Sequence, residues 1–417
     1  MIGRLSKSAF RNQGASKEAF GARASLHLME DEGVLLDQQA QRIYRLNQVS
    51  TLLWCCFAEG WSETRTQALL EERCGLSPEL AANFMASTQA EWRDMGLLGD
   101  GLSQGAAEHE RDAPSPLQVD PTPPPAAMRP STALTRLRYR ILDSDIELHG
   151  LPEPLADAMD EALGDHGSAR LGPAPVICTL IDAADGYVLS DGDRVVDRCA
   201  ALEAVVPMVK AALIRIAIDH VADHAAAFAV VHAATVYKDG PAVVLPGPSG
   251  TGKSTLAASL VLDGWDLAAE DTTVLNDDHS SPVRPLPTAL CLKRDAWPVI
   301  AAAAPEVERL TIHRRADGKS VRYFTPRRKQ ETTGVPPAVP IGLIAFPRYM
   351  GGAPLSVRRL TLIEAFDRFL AQFYPVSNRF DGKTIDWLID LLRDVPAIEL
   401  CYGDGAEAVE AIRTWSK

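Results

Sequence analysis

The stretch Gly247-Pro248-Ser249-Gly250-Thr251-Gly252-Lys253-Ser254 constrains this chain more than any other. It is a complete G-x-x-x-x-G-K-[ST] pattern. Val243-Val244-Leu245 runs into it, and the helix formers from Thr255 to Leu262 come after it, with apolar positions at 256, 257, 260 and 261. Strand, glycine loop and helix in that order make a phosphate cradle. The glycines let successive backbone N–H groups curl round an anion, and the new helix aims its N-terminus at the same point. In such a cradle Lys253 reaches the β- and γ-phosphates of a nucleoside triphosphate and Ser254 ligates Mg²⁺. The residues from Gly247 to Thr255 are therefore the expected ATP-binding set.

Two features flank the loop at informative spacings. Upstream, Ala229-Val230-Val231 is followed by His232 and by Thr235-Val236-Tyr237. Lys238-Asp239-Gly240 then reads as a hairpin turn joining that strand to the loop strand. Downstream, Gly264 stops the helix and Asp266 to Ala269 lead to Glu270-Asp271. An antiparallel hairpin feeding the loop is not the usual all-parallel nucleotide-binding start. The order of histidine, hairpin, G-x-S-G-x-G-K-S, helix, acidic pair and Thr-Thr-Val resembles the catalytic domain of HPr kinase/phosphorylase and its HPr-kinase-related relatives.

That resemblance implies an α/β fold with an HPr kinase/PEP carboxykinase-like P-loop core. It also implies transfer of a phosphoryl group from ATP, with Mg²⁺, to a seryl hydroxyl on a small protein. By the same resemblance Glu270, standing where the family has an aspartate, inherits the role of base, and Asp271 joins Ser254 as the Mg²⁺ partner. His232 either orients an acid near the γ-phosphate or is a core histidine on a strand. No convincing counterpart of the bifunctional family's later glycine-rich signature is found here, so the resemblance does not extend to phosphorolysis or to HPr itself as target. HPr kinase is a hexamer, so a homo-oligomer is among the family's implications.

The rest of the chain divides by composition. Residues 1–24 are polar and Gly/Ser/Ala-rich, a loose arm. Residues 25–100 form a first module. Gly33 to Asp37 and Arg42 to Leu46 read as two strands with a turn between them, and Asn47 and Ser62 as N-caps. Ser77-Pro78-Glu79 is a cap, a first-turn proline and an acid, opening a helix with Leu80, Phe84, Met85, Trp92 and Met95 on its apolar face. A short hairpin followed by three helices suits a small winged-helix-like α+β fold, and the run is similar to the PqqD family. Those domains bind an extended leader segment of a ribosomally made peptide along the hairpin edge, so a peptide or small-protein acceptor is the partner expected. Residues 101–132 are a proline-rich linker. Residues 133–417 make the kinase-like part, with a small α/β segment at 133–227 and the P-loop core at 228–417.

Composition excludes some classes. The net charge of −13 argues against general nucleic-acid binding. No 18-residue apolar run is present, since Arg215, Asp219 and Asp223 interrupt the longest candidate, so no membrane partner is expected. Seven cysteines without a C-x-x-C or Cys/His spacing fit reduced thiols in a cytoplasmic chain. Arg309 to Lys329 carries eight Lys/Arg against one acid, a run that faces either phosphate, an acidic acceptor or solvent. The reading that results is an ATP-dependent kinase acting on a Ser/Thr hydroxyl of a recruited peptide. The alternatives are an ATP-binding presenter of peptides and a small-metabolite kinase.

Overall fold

The computed structural model describes residues 24–30, 32–98, 135–167, 172, 174–223, 228–326 and 338–416. All but the last residue of the expected 1–24 arm, the 101–132 linker and the basic residues Arg327, Arg328 and Lys329 lie outside them. The described chain is mixed α/β, with several sheets and helices, and falls into two units. The first holds the N-terminal module together with Arg379–Asp390. The second holds the rest.

In the first unit β1 (Ala24–Met29), β2 (Glu32–Asp37) and β3 (Arg42–Leu46) form an antiparallel sheet in that order. Three helices come next: α1 (Gln48–Ala58), α2 (Glu63–Cys74) and α3 (Pro78–Asp94). Each starts where a side chain can satisfy a free N–H. Asn47 accepts from Ser50 N, Ser62 from Arg65 N and Ser77 from Leu80 N, caps worth about 1 kcal/mol apiece. Leu35, Leu53, Trp54, Phe57, Leu70, Met85 and Trp92 make the core, with Trp54 and Trp92 edge to face at 5.0 Å. The expected two-stranded hairpin is thus corrected to three strands. Residues 34–36 are central and fully buried, and β3 is an edge strand of the sheet.

The second unit begins with β4 (Thr135–Ile141), β5 (Ser144–Leu151), α4 (Ala156–Leu163), β6 (Val176–Ala183), β7 (Gly186–Asp191), β8 (Arg194–Cys199) and α5 (Val205–Asp223). Its five strands pair in sequence order. Then come β9 (Ala229–Val231), β10 (Ala233–Tyr237), β11 (Ala242–Pro246), α6 (Lys253–Leu262), β12 (Asp266–Ala269), β13 (Thr273–Leu275) and β14 (Val283–Arg284). β15 (Leu290–Lys293), α7 (Trp297–Ala301), β16 (His313–Arg314) and β17 (Ser320–Phe324) are next. The chain continues with β18 (Ile341–Tyr349), β19 (Ser356–Arg359), α8 (Leu362–Leu370), β20 (Phe373–Pro375), α9 (Gly382–Asp394), β21 (Ala397–Tyr402) and α10 (Gly405–Trp415).

A six-stranded sheet of order β12-β10-β11-β18-β21-β19 carries the glycine loop. β11 is wholly buried at its centre, antiparallel to β10 and parallel to β18. Leu256, Ala257 and Leu260 of α6 pack on it with Ile412 of α10. Another core joins the 135–223 segment to β13, β15 and β17: Met159, Leu163, Val209 and Leu213 pack with Val274, Leu286, Cys291 and Tyr323. The α4/α5 layer is therefore built into the same hydrophobic interior as the strands behind the loop.

Candidate functional site

β11 delivers the chain to Gly247. Gly247, Gly250 and Gly252 take φ of 153°, 98° and 99°, a region that favours glycine. A Cβ on Gly252 would also stand 2.6 Å from Tyr402 Oη and 3.0 Å from Tyr349 Cβ. α6 opens directly from this turn with Gly252 at its N-cap and no side-chain cap. Its leading N–H groups point into the loop, the arrangement that favours an anion.

Two sheet crossovers meet beside the loop. The chain leaves the four-stranded sheet (β14-β13-β9-β20) for the six-stranded one at His232, between β9 and β10. It returns at Glu270-Asp271, between β12 and β13. Thr235 and Thr273 tie the crossovers together through a 2.7 Å hydroxyl contact, and Thr273 Oγ1 donates to Ala233 O at 3.0 Å. Residues 38 positions apart are thereby fixed next to the phosphate loop.

Lys253 is buried, and its ammonium donates to Gly247 O, to Pro248 O at 3.2 Å and to His232 Nε2 at 3.1 Å. Asp271 Oδ1 lies 4.0 Å from the same Nζ and 3.5 Å from His232 Nδ1. Burial lowers the His232 pKa from its ordinary value, so the neutral ring accepts from Lys253 at Nε2 and turns Nδ1–H toward Asp271. Burial likewise lowers the Lys253 ammonium, with Asp271 pulling the other way. His232, Lys253 and Asp271 thus form one polar chain at the mouth of the loop.

Glu270 points elsewhere. Its carboxylate is buried, lies 3.7 Å from Lys210 Nζ and accepts from Cys291 N–H at 3.1 Å. Lys210, on α5, also donates to Ala289 O at 2.9 Å and stands over the Tyr323 ring at 4.6 Å. Burial raises the Glu270 pKa. Of the expected acidic pair, then, Asp271 faces the loop and Glu270 faces the interior.

Three further cations join the site: Lys293 and Lys210, to which sequence reasoning assigned no role, and Arg315, one member of the basic run from Arg309 to Lys329. Lys293, at the end of β15, donates to Ser249 Oγ at 2.5 Å. Arg315, beyond β16, interacts with Cys291 and acts electrostatically on Asp271 and Lys253. Lys210 was traceable: it is a lone lysine in the apolar run Val205-Val206-Pro207-Met208-Val209-Lys210-Ala211. Ser254 and Thr255 lie half-buried in the first turn of α6.

Among the described residues no group of three or more His, Cys, Asp or Glu could hold a metal by itself. A Mg²⁺ that travels with a triphosphate needs only one or two protein oxygens, the remainder coming from phosphate and water. The Ser254 hydroxyl, in the first turn of α6, and the Asp271 carboxylate, 4.0 Å from the Lys253 ammonium, fit that modest requirement.

In the first unit a groove of about 280 Å³ runs between β3 and α3, lined by Tyr44, Arg45, Leu46, Glu91, Trp92 and Met95 among others. Its lining mixes the apolar Leu46, Trp92 and Met95 with polar groups and one charge of each sign, Arg45 and Glu91. No described helix is long and apolar enough to cross a membrane. No protein-family model matches the chain, and comparison with curated proteins finds no match.

Proposed function

We propose that the chain is an ATP-dependent kinase whose acceptor is a peptide or small protein held by the first unit. The observation that carries the reading is the glycine cradle with Lys253 and Asp271 at its mouth. Phosphoryl transfer needs positioning and charge neutralisation more than covalent chemistry, and these residues supply both. The loop N–H groups and the Lys253 ammonium neutralise phosphate oxygens. Ser254 would hold Mg²⁺ together with the phosphates, and the metal would supply further charge neutralisation there.

A base must reach the proton it removes. Asp271 is about a third exposed, whereas the Glu270 side chain is 8% exposed and already engaged by Lys210. We therefore assign the proton acceptor to Asp271, with His232 holding its orientation. Glu270 becomes a structural anion behind it. This moves the role of base from Glu270 to its neighbour and leaves Ser254 as the protein ligand of Mg²⁺.

The groove supports the peptide part of the reading. β3 is an edge strand of its sheet and lies beside this groove. An extended segment laid along β3 would add a strand and place alternate side chains in the groove.

The test measures Mg·ATP binding and γ-phosphate release on the purified chain. Lys253→Ala is expected to lose turnover. Asp271→Asn is expected to lower it on the order of 10²–10⁴-fold with nucleotide affinity largely kept. A selective loss of turnover in Glu270→Gln, with Asp271→Asn near wild type, would return the base to Glu270.

A further inference from the structure

The six-stranded sheet has two sides with respect to the glycine loop. The acidic pair leaves β12 on one side of β11. β18 and β21 lie on the other and run parallel to β11, so their C-terminal ends open at the same edge as the loop. In parallel sheets that edge is where ligands bind.

β18 ends in Tyr349 and β21 in Tyr402. Both are tied to the loop: Tyr349 N donates to Thr251 O at 3.0 Å and Tyr402 Oη to Gly252 O at 3.4 Å. The rings meet at 5.6 Å and 61°, and Met350 N donates to Tyr402 O at 2.9 Å. Tyr402 is buried, but Tyr349 is 50% exposed and Met350 43%. A half-exposed aromatic ring thus stands against the phosphate loop and packs in an edge-type contact with a second, buried ring. The turn after it is fixed as well. A Cβ on Gly403 would stand 2.6 Å from Ala353 N, so the two strand ends are packed backbone to backbone.

We propose that Tyr349 is the stacking platform for the purine base of ATP, with Met350 covering the edge of the ring. The inference rests on the glycine loop being a triphosphate site. With the γ-phosphate directed at Asp271, on the β12 side, the α-phosphate and ribose leave toward β18 and β21. An apolar face with one π surface suits a nucleobase, and sulfur at a ring edge adds a favourable contact. The part of the ligand left to bind there is the base. The phosphates are held by loop N–H groups and Lys253, and the hydrogen bond from Tyr349 to the loop is made by its backbone N–H, which a side-chain substitution leaves in place.

Binding of ATP and of inorganic tripolyphosphate to the full chain, each with Mg²⁺, separates the two parts of the site. The wild-type chain is expected to prefer ATP. Tyr349→Ala is expected to weaken ATP by about five- to a hundredfold, the range for loss of one base–aromatic stack. Tripolyphosphate affinity is expected to stay put, and Tyr349→Trp to retain ATP. If Tyr349→Ala disturbs tripolyphosphate binding too, Tyr349→Leu keeps the bulk against Tyr402 without the π face and is read in the same way. ATP affinity unchanged in the variant lacking the flat face overturns the platform while leaving the loop assignment standing. A wild-type chain that binds neither ligand overturns the loop assignment, and the platform with it.

Discussion

At the residue scale the site depends on His232 remaining neutral. Only a neutral ring offers Nε2 to the Lys253 ammonium 3.1 Å away while turning a donor to Asp271. Burial depresses its pKa below the ordinary 6.5, and the linkage has a definite sign. In the unfolded chain the imidazole takes up a proton as pH falls through 6.5; in the folded chain it does so only at lower pH. Stability attributable to His232 is therefore intact above 6.5, declines as pH falls below that value, and levels off once the folded ring protonates. His232→Gln has no such dependence. The difference in thermal midpoint between wild type and His232→Gln is expected to shrink between about pH 7.5 and about pH 5.5. A difference that grows over that range would mean that the folded chain holds the His232 proton more tightly than the unfolded one, and a constant difference that folding leaves its protonation unchanged; either overturns the neutral ring.

At the element scale the site hangs on a helix far from it in sequence. Lys210 enters the interior because α5 turns its apolar stripe, Val206, Val209, Leu213 and Ala217, onto the strands behind the loop. The ammonium compensates Glu270, and Glu270 in turn accepts from the first residues of β15, the strand that ends at Lys293. Both ionic side chains are more than nine-tenths buried. Removal of one leaves the other as an uncompensated charge, so Lys210→Met is expected to lower the unfolding free energy by about 3–5 kcal/mol. Lys210→Met combined with Glu270→Met is expected to recover most of that loss, since an apolar pair of similar volume is often as stable as a buried ion pair. Urea denaturation of the single and double variants measures both. Equal destabilisation in the single and double variants would show that Lys210 acts through packing alone. The pair also explains why the two acids diverge: a cation on the interior side captures one and leaves the other to the loop.

At the scale of the whole molecule the proposed function divides recognition from chemistry between the two units. A guest held in the first unit is kept at high effective concentration for the second, which lowers the apparent KM without altering the transfer step. Met95→Asp puts a carboxylate into the groove between β3 and α3 in place of one of its apolar side chains, at a position 39% exposed and outside the packed core. It is expected to raise the apparent KM for a leader-bearing acceptor while ATP binding and turnover without acceptor stay at wild-type values. Unchanged acceptor kinetics in this variant would leave the first unit as a structural module and favour a small-metabolite acceptor.

What the sequence determined by itself is local. The strand–loop–helix at Gly247 to Ser254, the hairpin turn at Lys238 to Gly240 and the caps at Asn47, Ser62 and Ser77 are all governed by backbone preferences and hydrogen bonds within a few residues. Their residue types therefore announce them. β1 was not legible, because a short apolar alternation beside a polar arm has no meaning until β2 is there to pair with it. Nor were the roles within the site legible. Glu270 and Asp271 are adjacent and chemically alike, and only Lys210, sixty positions away, separates them. Tyr402 and Gly252 lie 150 positions apart and meet because β21 is placed two strands from β11. Sheet order and burial decide such contacts, and they arise from how the whole apolar surface is packed, which no short stretch of residues encodes.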